Sequence, residues 1–367
     1  MDPETLRADI PALDDCVFLN TGASGPSPRR VTDAVAGFQE RHKHDAPCGN
    51  GMYETASRAR ESTREAVAGF VGADAGEIAL TRNTVEGINH VSTGIDWEPG
   101  DIVVRTDLEH PAGNLPWERM ADLHGIEVHE LATERGRIDR DALKDAVADA
   151  RLLCLSSISW NYGTRLPVAE AVEIAHDAGA LVLVDAVQSP GQAPIDVTEW
   201  GADFVVASGH KWLLGVWGSG FLYVDSDALD TLRPQRIGYF SVTREPDEGY
   251  EFAPDASRFE LGTTAIAPYV GLETSVDLFE DIGLETVQSR IGRLTARLKE
   301  GLGDRLLTPP DSESGLVSFS AEDPDATAER LAAEGVRIRS IPDPHACRAS
   351  VHAFNTAEDV DRLLAAL

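Results

Sequence analysis

The chain has 367 residues, 42% of them hydrophobic, which is enough for a large buried core and for one large domain with a smaller one. No run of about eighteen apolar residues occurs, so the sequence predicts no membrane-spanning helix. The first ten residues are acidic and polar, unlike a signal peptide. We therefore expect a cytoplasmic protein without a membrane partner.

Acidic residues outnumber basic ones by 62 to 32, which gives a formal net charge of −30. The acidic residues are dispersed along the chain and form no tail. Such a surface repels nucleic acid, so we expect no nucleic-acid partner. The excess of acidic residues, combined with only four lysines, indicates a halophilic origin, because salt screens the repulsion between the acidic residues.

The four cysteines have neither the spacing of a metal site nor the density of a disulfide framework. We expect no bound metal. Cys154 lies within an apolar run and is interpreted as a core residue.

Strand and helix patterns alternate from about residue 76 to 225, which predicts a mainly parallel sheet covered by helices. The apolar runs interpreted as strands are Glu77–Leu80, Asp101–Arg105, Ile126–Leu131, Leu152–Ile158, Leu181–Val184, Phe204–Ala207 and Gly220–Val224. Helical spacing marks the stretches Arg140–Ala150 and Ala169–Ala178. Ligands of such α/β sheets bind beyond the carboxyl ends of the strands.

The rest of the chain predicts a second, smaller unit. Tyr239–Ser257 is rich in Glu, Asp, Pro and Gly and is interpreted as a long loop or domain boundary. A helical stretch, Pro268–Leu306, follows, and a compact α+β tail ends in the helix Ala357–Leu367. We expect a large domain over residues 21–250, a small C-terminal domain over 251–367, and an N-terminal segment, 1–20, that packs with the small domain.

Lys211 follows the predicted strand Phe204–Ala207 within the motif Ser-Gly-His-Lys-Trp. A lysine at the ligand edge of a sheet suits a Schiff base to an aldehyde cofactor, because burial and nearby cations make its amine nucleophilic. The alternative is a solvated surface lysine. The rarity of lysine in this chain and the strands on both sides favour the cofactor site.

Asp185 ends the apolar strand Leu181–Val184, and Gln188 follows it. Its carboxylate could keep a pyridine nitrogen protonated and so make the ring an electron sink, and Gln188 would then reach the phenolic oxygen of that ring. The alternative role for Asp185 is an ordinary helix N-cap.

Two further motifs follow predicted strands. Asn83 and Thr84 lie in a polar turn that leads into a helix, where backbone N–H groups and a hydroxyl could bind phosphate or merely cap the helix. His110, next to Glu109, could stack on a cofactor ring or move protons, or it could be a loop histidine.

The order and spacing of these motifs resemble the class V aminotransferases, which include cysteine desulfurases and cystine lyases. The resemblance implies an aspartate aminotransferase-like α/β fold with a mainly parallel seven-stranded sheet, pyridoxal 5'-phosphate (PLP) as cofactor, and a homodimer with shared active sites. It also implies Lys211 as the Schiff base, Asp185 on the ring nitrogen and His110 stacked on the ring. The remaining cofactor contacts that it implies are Asn83, Thr84, Asn161, Gln188, Ser208, His210 and, from the partner subunit, Thr263.

Arg348 matches the family arginine that binds the substrate α-carboxylate, and Arg339 and Asn20 complete the expected substrate site. In cysteine desulfurases a loop between these two arginines carries the nucleophilic cysteine. Here eight residues separate them, and Cys347 adjoins Arg348. Neighbours on a strand point to opposite faces, so a cysteine nucleophile is not expected.

The short segment between the arginines resembles the cystine/cysteine C–S lyase branch, in which two arginines bind carboxylates and β-elimination needs no protein thiol. Phe259–Thr263 is closer to the desulfurase form. We expect a small amino acid as substrate, with Lys211 removing its α-proton and β-sulfur loss giving pyruvate and ammonia. Desulfuration, transamination and epimerisation remain alternatives, as does a PLP-binding regulator without turnover.

Overall fold

The structure is a computed structural model, and it describes residues 1–243 and 249–367. The α-helices of these residues are α1 (Pro3–Ala8), α2 (Arg29–Glu40), α3 (Met52–Val71), α4 (Thr84–Gly94), α5 (Pro111–His124), α6 (Arg140–Val147), α7 (Val168–Asp177), α8 (Val197–Trp200), α9 (Ala267–Ile282), α10 (Leu284–Leu302), α11 (Pro324–Ala333) and α12 (Ala357–Ala366). The strands are β1 (Val17–Phe18), β2 (Ile78–Thr81), β3 (Ile102–Thr106), β4 (Glu127–Leu131), β5 (Ala150–Ser156), β6 (Leu181–Asp185), β7 (Phe204–Ser208), β8 (Gly220–Val224), β9 (Val242–Thr243), β10 (Glu251–Phe252), β11 (Leu316–Phe319), β12 (Val336–Arg337), β13 (Arg339–Ile341) and β14 (Ala346–Ser350).

A seven-stranded sheet in the order β2-β8-β7-β6-β5-β3-β4 forms the centre of the molecule. Neighbouring strands are parallel except for β8, which is antiparallel to both β2 and β7. The predicted strands begin and end within two residues of the observed ones. The expected α/β fold with a mainly parallel seven-stranded sheet is therefore confirmed.

Helices cover both faces of this sheet, which explains why its strands are almost continuously apolar. Successive side chains of a strand point to opposite faces. Val182 and Val184 accordingly belong to one buried cluster, with apolar residues of α3, α7 and α9, whereas Leu183 belongs to another, with residues of α4 and α5. The register sets Ser156 at the end of β5 opposite Asp185 at the end of β6.

A smaller antiparallel sheet in the order β11-β14-β13 lies in the C-terminal part of the chain. Leucines of α10, α11 and α12 pack with its strands in a third buried cluster. The N-terminal segment joins this region, since β1 pairs in parallel with β12 and Asn20 forms a bridge to Ser350.

The predicted helical stretch Pro268–Leu306 is two helices, α9 and α10, separated by Gly283. Gly283 has a φ of 81°, a conformation that a residue with a side chain rarely adopts. Helix α9 packs on α2 and α3 of the N-terminal half. The division into residues 1–20, 21–250 and 251–367 stays a prediction, and any boundary must accommodate this packing.

Within the predicted loop Tyr239–Ser257, β9 and β10 pair in antiparallel fashion. Residues 244–248 of that predicted loop lie outside the described residues. In the described part of the chain, no helix combines the length and the apolar character needed to cross a membrane.

Candidate active site

A cleft of about 240 Å³ lies at the carboxyl ends of β5, β6 and β7. It is where ligands of α/β sheets are expected to bind. The structure brings most of the predicted site residues together in its lining: Asn83, Thr84, His110, Asp185, Gln188, Ser208, His210, Lys211, Arg339 and Arg348.

Lys211 stands in the cleft just beyond the end of β7. Burial lowers the pKa of its amine to about 8, although Asp185 opposes this by attraction; Arg348 and Arg339 lower the pKa further by repulsion. A lysine of lowered pKa holds a larger fraction of neutral amine near neutral pH. Lys211 is therefore suited to nucleophilic attack on a carbonyl group and to proton transfer.

Asp185 faces the same cleft from the end of β6. Its Oδ1 accepts a hydrogen bond from the Val187 N–H at 2.9 Å, and no described residue donates to its other oxygen. Burial raises the pKa of this carboxyl, while the Val187 N–H and the Lys211 charge lower it. The free oxygen can accept a hydrogen bond from a protonated ring nitrogen.

His110 is the N-cap residue of α5 and lines the cleft. Its Nδ1 accepts from the Ala112 N–H at 3.2 Å, so the neutral ring carries its proton on Nε2. Burial, followed by the charges of Lys211 and the two arginines of the cleft, lowers the pKa of His110 to about 4. A neutral imidazole without repulsive charge suits stacking against an aromatic ligand.

The N-terminus of α4 opens into the cleft next to the end of β7. Asn83 caps the helix by accepting from the Glu86 N–H at 2.9 Å. The Thr84 N–H donates to the Ser208 hydroxyl at 2.7 Å, and the Thr84 and Ser208 hydroxyls are 2.7 Å apart. A helix N-terminus with two hydroxyls and the adjacent His210 is a suitable binding site for a phosphate group.

Arg348 and Arg339 enter the cleft from the smaller sheet. They are opposite each other on β14 and β13, so both side chains lie on the same face. Arg348 is fully buried and donates from Nη1 to the Trp160 carbonyl at 2.7 Å, while its Nε and Nη2 have no partner among residues 1–243 and 249–367. Burial, together with Arg339, lowers the pKa of Arg348 to about 9.

Neither guanidinium forms an ion pair with an acid of residues 1–243 or 249–367. A buried cation without a partner is costly, because the interior cannot replace its lost hydration. The cost is offset when an anionic ligand supplies the missing acceptors. This pair of arginines is thus suited to binding an anionic group such as a carboxylate.

Cys347 points away from the cleft, as the alternation along β14 predicts. It is fully buried in the third cluster, with its Sγ 3.6 Å from the Pro324 carbonyl. Burial raises the pKa of its thiol to about 11, and Asp325 and Asp323 raise it further. A buried thiol of high pKa is a poor nucleophile.

Three predicted residues are not among those that line the cleft. Asn161 follows the cleft residue Trp160 but accepts from the neighbouring Tyr162 N–H at 3.0 Å. Asn20 is beside Ser350, and its Oδ1 has no partner in the described part of the chain. Thr263 is elsewhere, with its hydroxyl 2.7 Å from that of Tyr239. Their roles stay predictions.

The structure adds residues that the sequence did not single out. The Trp160 ring meets the His110 ring edge-on, with centroids 5.3 Å apart, and its carbonyl holds Arg348. The Glu109 carboxyl is buried behind the cleft and accepts from the Ser156 N–H at 2.9 Å. Proximity to His110 and Asn161 in the sequence was the only signal for either residue.

Related sequences and structures are found among known proteins. The family model for aminotransferase class-V matches residues 17–363. A probable cysteine desulfurase of Methanothermobacter thermautotrophicus is 35% identical, over 99% of this chain and 96% of that protein. The apo cysteine desulfurase of Thermococcus onnurineus has a TM-score of 0.93 at 29% identity, covering 100% of this chain and 97% of that one.

The cystine C–S lyase C-DES was solved in complex with its reaction product, cysteine persulfide. It has a TM-score of 0.92 at 28% identity, covering 97% of this chain and 98% of that one. A mutant of C-DES with glycine covalently linked to its PLP cofactor has a TM-score of 0.93 at 28% identity and covers 98% of each chain. Since the family model spans almost the whole sequence, this chain belongs to the aminotransferase class-V family.

Proposed function

We propose that this chain is a PLP-dependent cystine C–S lyase, which converts cystine and water into cysteine persulfide, pyruvate and ammonia. One observation carries the choice of reaction: Arg348 faces the cleft with N–H groups for which no described residue is an acceptor, whereas the adjacent Cys347 is buried on the opposite face. The enzyme class and a substrate of the cysteine or cystine type follow from family membership and from the relatives named above.

The cleft residues fit PLP. The N-terminus of α4 with Thr84, Ser208 and His210 would hold the phosphate. The free oxygen of Asp185 would face the ring nitrogen, and the neutral His110 ring would stack on the cofactor. When bound, PLP supplies an electron-withdrawing ring that makes the α-proton of an amino acid acidic.

Lys211 would hold the cofactor through its aldehyde group, and its amine, when free, would remove the α-proton of the substrate. Its lowered pKa leaves part of the amine neutral and able to accept that proton. Asp185 would accept a hydrogen bond from the protonated ring nitrogen; burial raises the pKa of its carboxyl, while the Val187 N–H and the Lys211 charge lower it. Arg348 would fix the α-carboxylate bidentately, which orients the Cα–H bond towards Lys211.

Arg339 makes cystine a better substrate than cysteine. Cystine has two carboxylates, and the cleft has two guanidinium groups on one face without an acidic partner in the described residues. Arg348 is the deeper of the two, whereas Arg339 is only partly buried and would bind the distal carboxylate. Cysteine, with one carboxylate, would leave Arg339 unused.

The test is product analysis with the purified holoenzyme. Cystine should yield pyruvate and persulfide in equal amounts, with no alanine, and Arg339→Gln should lower kcat/KM for cystine by about 10–100-fold but affect cysteine much less. Cys347→Ala, and Cys48→Ala as a matched control on an exposed cysteine, should retain the wild-type rate.

Alanine as the main product, together with loss of sulfur release in Cys347→Ala that still binds PLP, would establish a desulfurase instead. A racemised substrate or a keto-acid product that retains its sulfur would establish epimerisation or transamination.

We also propose a homodimer in which Thr263 contacts the cofactor phosphate of the partner subunit. The support is the resemblance to the family and the position of Thr263 outside the cleft of its own chain. Sedimentation equilibrium should give twice the chain mass. A halophilic origin and a cytoplasmic location likewise remain proposals, which the sequence alone supports.

A further inference from the structure

The carboxamide of Gln188 has a fixed orientation at the wall of the cleft. Its Oε1 accepts from the Trp212 indole N–H at 2.7 Å, and its Nε2 donates to the Gly22 carbonyl at 3.1 Å. An indole nitrogen can only donate and a carbonyl can only accept. In a flipped amide the N–H groups would therefore face the indole donor and the oxygen would face the carbonyl acceptor, so neither hydrogen bond could form. The other N–H of Gln188 has no acceptor among the residues that the structure describes.

Trp212 is held in turn by residues that flank the smaller sheet. It is fully buried, and its ring stacks on His352, with centroids 5.7 Å apart and an interplanar angle of 20°. His352 Nε2 donates to the Trp212 carbonyl at 2.9 Å, since its Nδ1 accepts from the Ala353 N–H. A Cβ at Gly315 would lie 2.5 Å from the indole ring, so the indole packs closely against the backbone at Gly315.

We propose that Trp212 is a positioning residue, whose indole N–H locks the Gln188 carboxamide so that its free N–H is offered to the phenolic oxygen of the cofactor. The inference rests on the proposed PLP function. It connects the smaller sheet to the cofactor through three groups: the His352 ring clamps the indole, the indole orients the amide, and the amide donates into the cleft.

The lock has a spectroscopic consequence. A hydrogen-bond donor at the phenolic oxygen stabilises the deprotonated state of the cofactor most strongly, because the oxygen then shares no other proton. Loss of the oriented donor therefore raises the pKa at which the bound cofactor loses its proton. In Trp212→Phe, which retains an aromatic ring but has no N–H, the pH midpoint of the visible absorption change should rise by about 0.5–1 unit.

The experiment compares pH titrations of the visible spectrum of wild-type and variant holoenzymes. Trp97→Phe is the matched control, because Trp97 is also buried and its indole donates to the Ser92 carbonyl at 2.6 Å in a different cluster. Both variants should lose some thermal stability, measured on the cofactor-free protein, but Trp97→Phe should retain the wild-type midpoint.

A double-mutant comparison separates the lock from general damage. In a Gln188→Ala background, Trp212→Phe should cause no further shift, because the amide that it orients is gone. An equal shift in that background would overturn the proposal. His352→Leu, which loosens the indole from behind without entering the cleft, should shift the midpoint in the same direction and serves if Trp212→Phe does not fold.

The same titrations distinguish failure of this inference from failure of the proposed function. If wild-type protein shows no visible band after addition of PLP, the proposed function is wrong. If wild-type protein shows the band but neither Trp212→Phe nor His352→Leu moves its midpoint, only the positioning role is wrong.

Discussion

Glu109 is a carboxyl group buried in the interior directly behind the cleft. It accepts from the Thr106 hydroxyl at 2.8 Å, the Ser156 N–H at 2.9 Å and the Ser156 hydroxyl at 2.7 Å. Burial nevertheless raises its pKa from the ordinary 4.5 to about 7, against the lowering effect of these hydrogen bonds, and the charge of Asp185 raises it further. The free-energy cost of removing the charged carboxylate from water thus outweighs the stabilisation that three hydrogen-bond donors give it.

This raised pKa predicts a pH-dependent stability. Between about pH 4.5 and 7 the unfolded carboxyl has lost its proton while the folded one retains it, so stability falls as pH rises through that range. The shift corresponds to a loss on the order of 3 kcal/mol. Glu109→Gln cannot ionise, and its melting temperature relative to wild type should increase from pH 5 to pH 8.

Thermal unfolding of the cofactor-free protein at several pH values measures this difference. Glu118→Gln, a change at an exposed position of α5, controls for the removal of a negative charge in an acidic protein. A difference between Glu109→Gln and wild type that is the same at every pH would contradict the prediction.

For single residues, sequence reasoning found those whose side-chain groups suggest a chemical role by themselves. Lys211, Asp185 and His110 each follow a strand, and strand ends are predictable from apolar runs. Trp160 was not singled out, because neither its contact with His110 nor its carbonyl contact with Arg348 follows from its residue type. The side-chain direction of Asn161 depends on an irregular turn, which no periodicity describes.

The segment after β1 passes so close to β11 and β14 that a side chain at position 22 would force its neighbours to shift. A Cβ there would lie 2.6 Å from Leu316 Cδ2, 2.9 Å from Ser350 Oγ and 3.1 Å from Arg348 Nη2. Gly22→Ala should therefore displace Arg348 and raise KM for cystine by about tenfold, with a smaller change in kcat.

Steady-state kinetics with cystine provides the measurement. Gly292→Ala in α10 is the matched control, because a Cβ at that position meets nothing within 4 Å and the change should slightly stabilise the helix. An unchanged KM in Gly22→Ala would contradict the prediction that this substitution displaces Arg348 from the substrate.

Element bounds were predictable where a strand is buried on both faces, as for Gly220–Val224, which matches β8 without error. The antiparallel direction of β8 was not predictable, because an apolar run does not reveal which way its strand runs in the sheet. The sequence also gave no evidence for the strand order, which depends on how the connecting helices cross the sheet. The break between α9 and α10 was overlooked although Gly283 marks it.

For the whole molecule, the dominant electrostatic feature is the net charge of −30. Surface ion pairs such as Arg297–Asp361 contribute little and weaken in salt. The excess of acidic residues repels itself more strongly than these pairs attract, and salt shortens the range of that repulsion from about 10 Å at 0.1 M to about 3 Å at 1 M. The folded state should gain stability as salt is added.

We predict that the melting temperature rises by several degrees between 0.1 M and 2 M KCl. Sucrose at equal osmolality is the control, since it is excluded from protein surfaces but does not screen charge. A rise of the same size in sucrose, or a fall in KCl, would show that charge repulsion does not limit stability.

The pairing of β1 with β12 has a consequence for synthesis on the ribosome. Val17 meets Val336, so roughly 320 residues must be translated before the first strand finds its neighbour. At about 5–20 residues per second this delay lasts roughly 16–64 s. Gly22 and Arg348 become adjacent only afterwards, so a nascent chain has no amino-acid pocket until translation has passed Arg348.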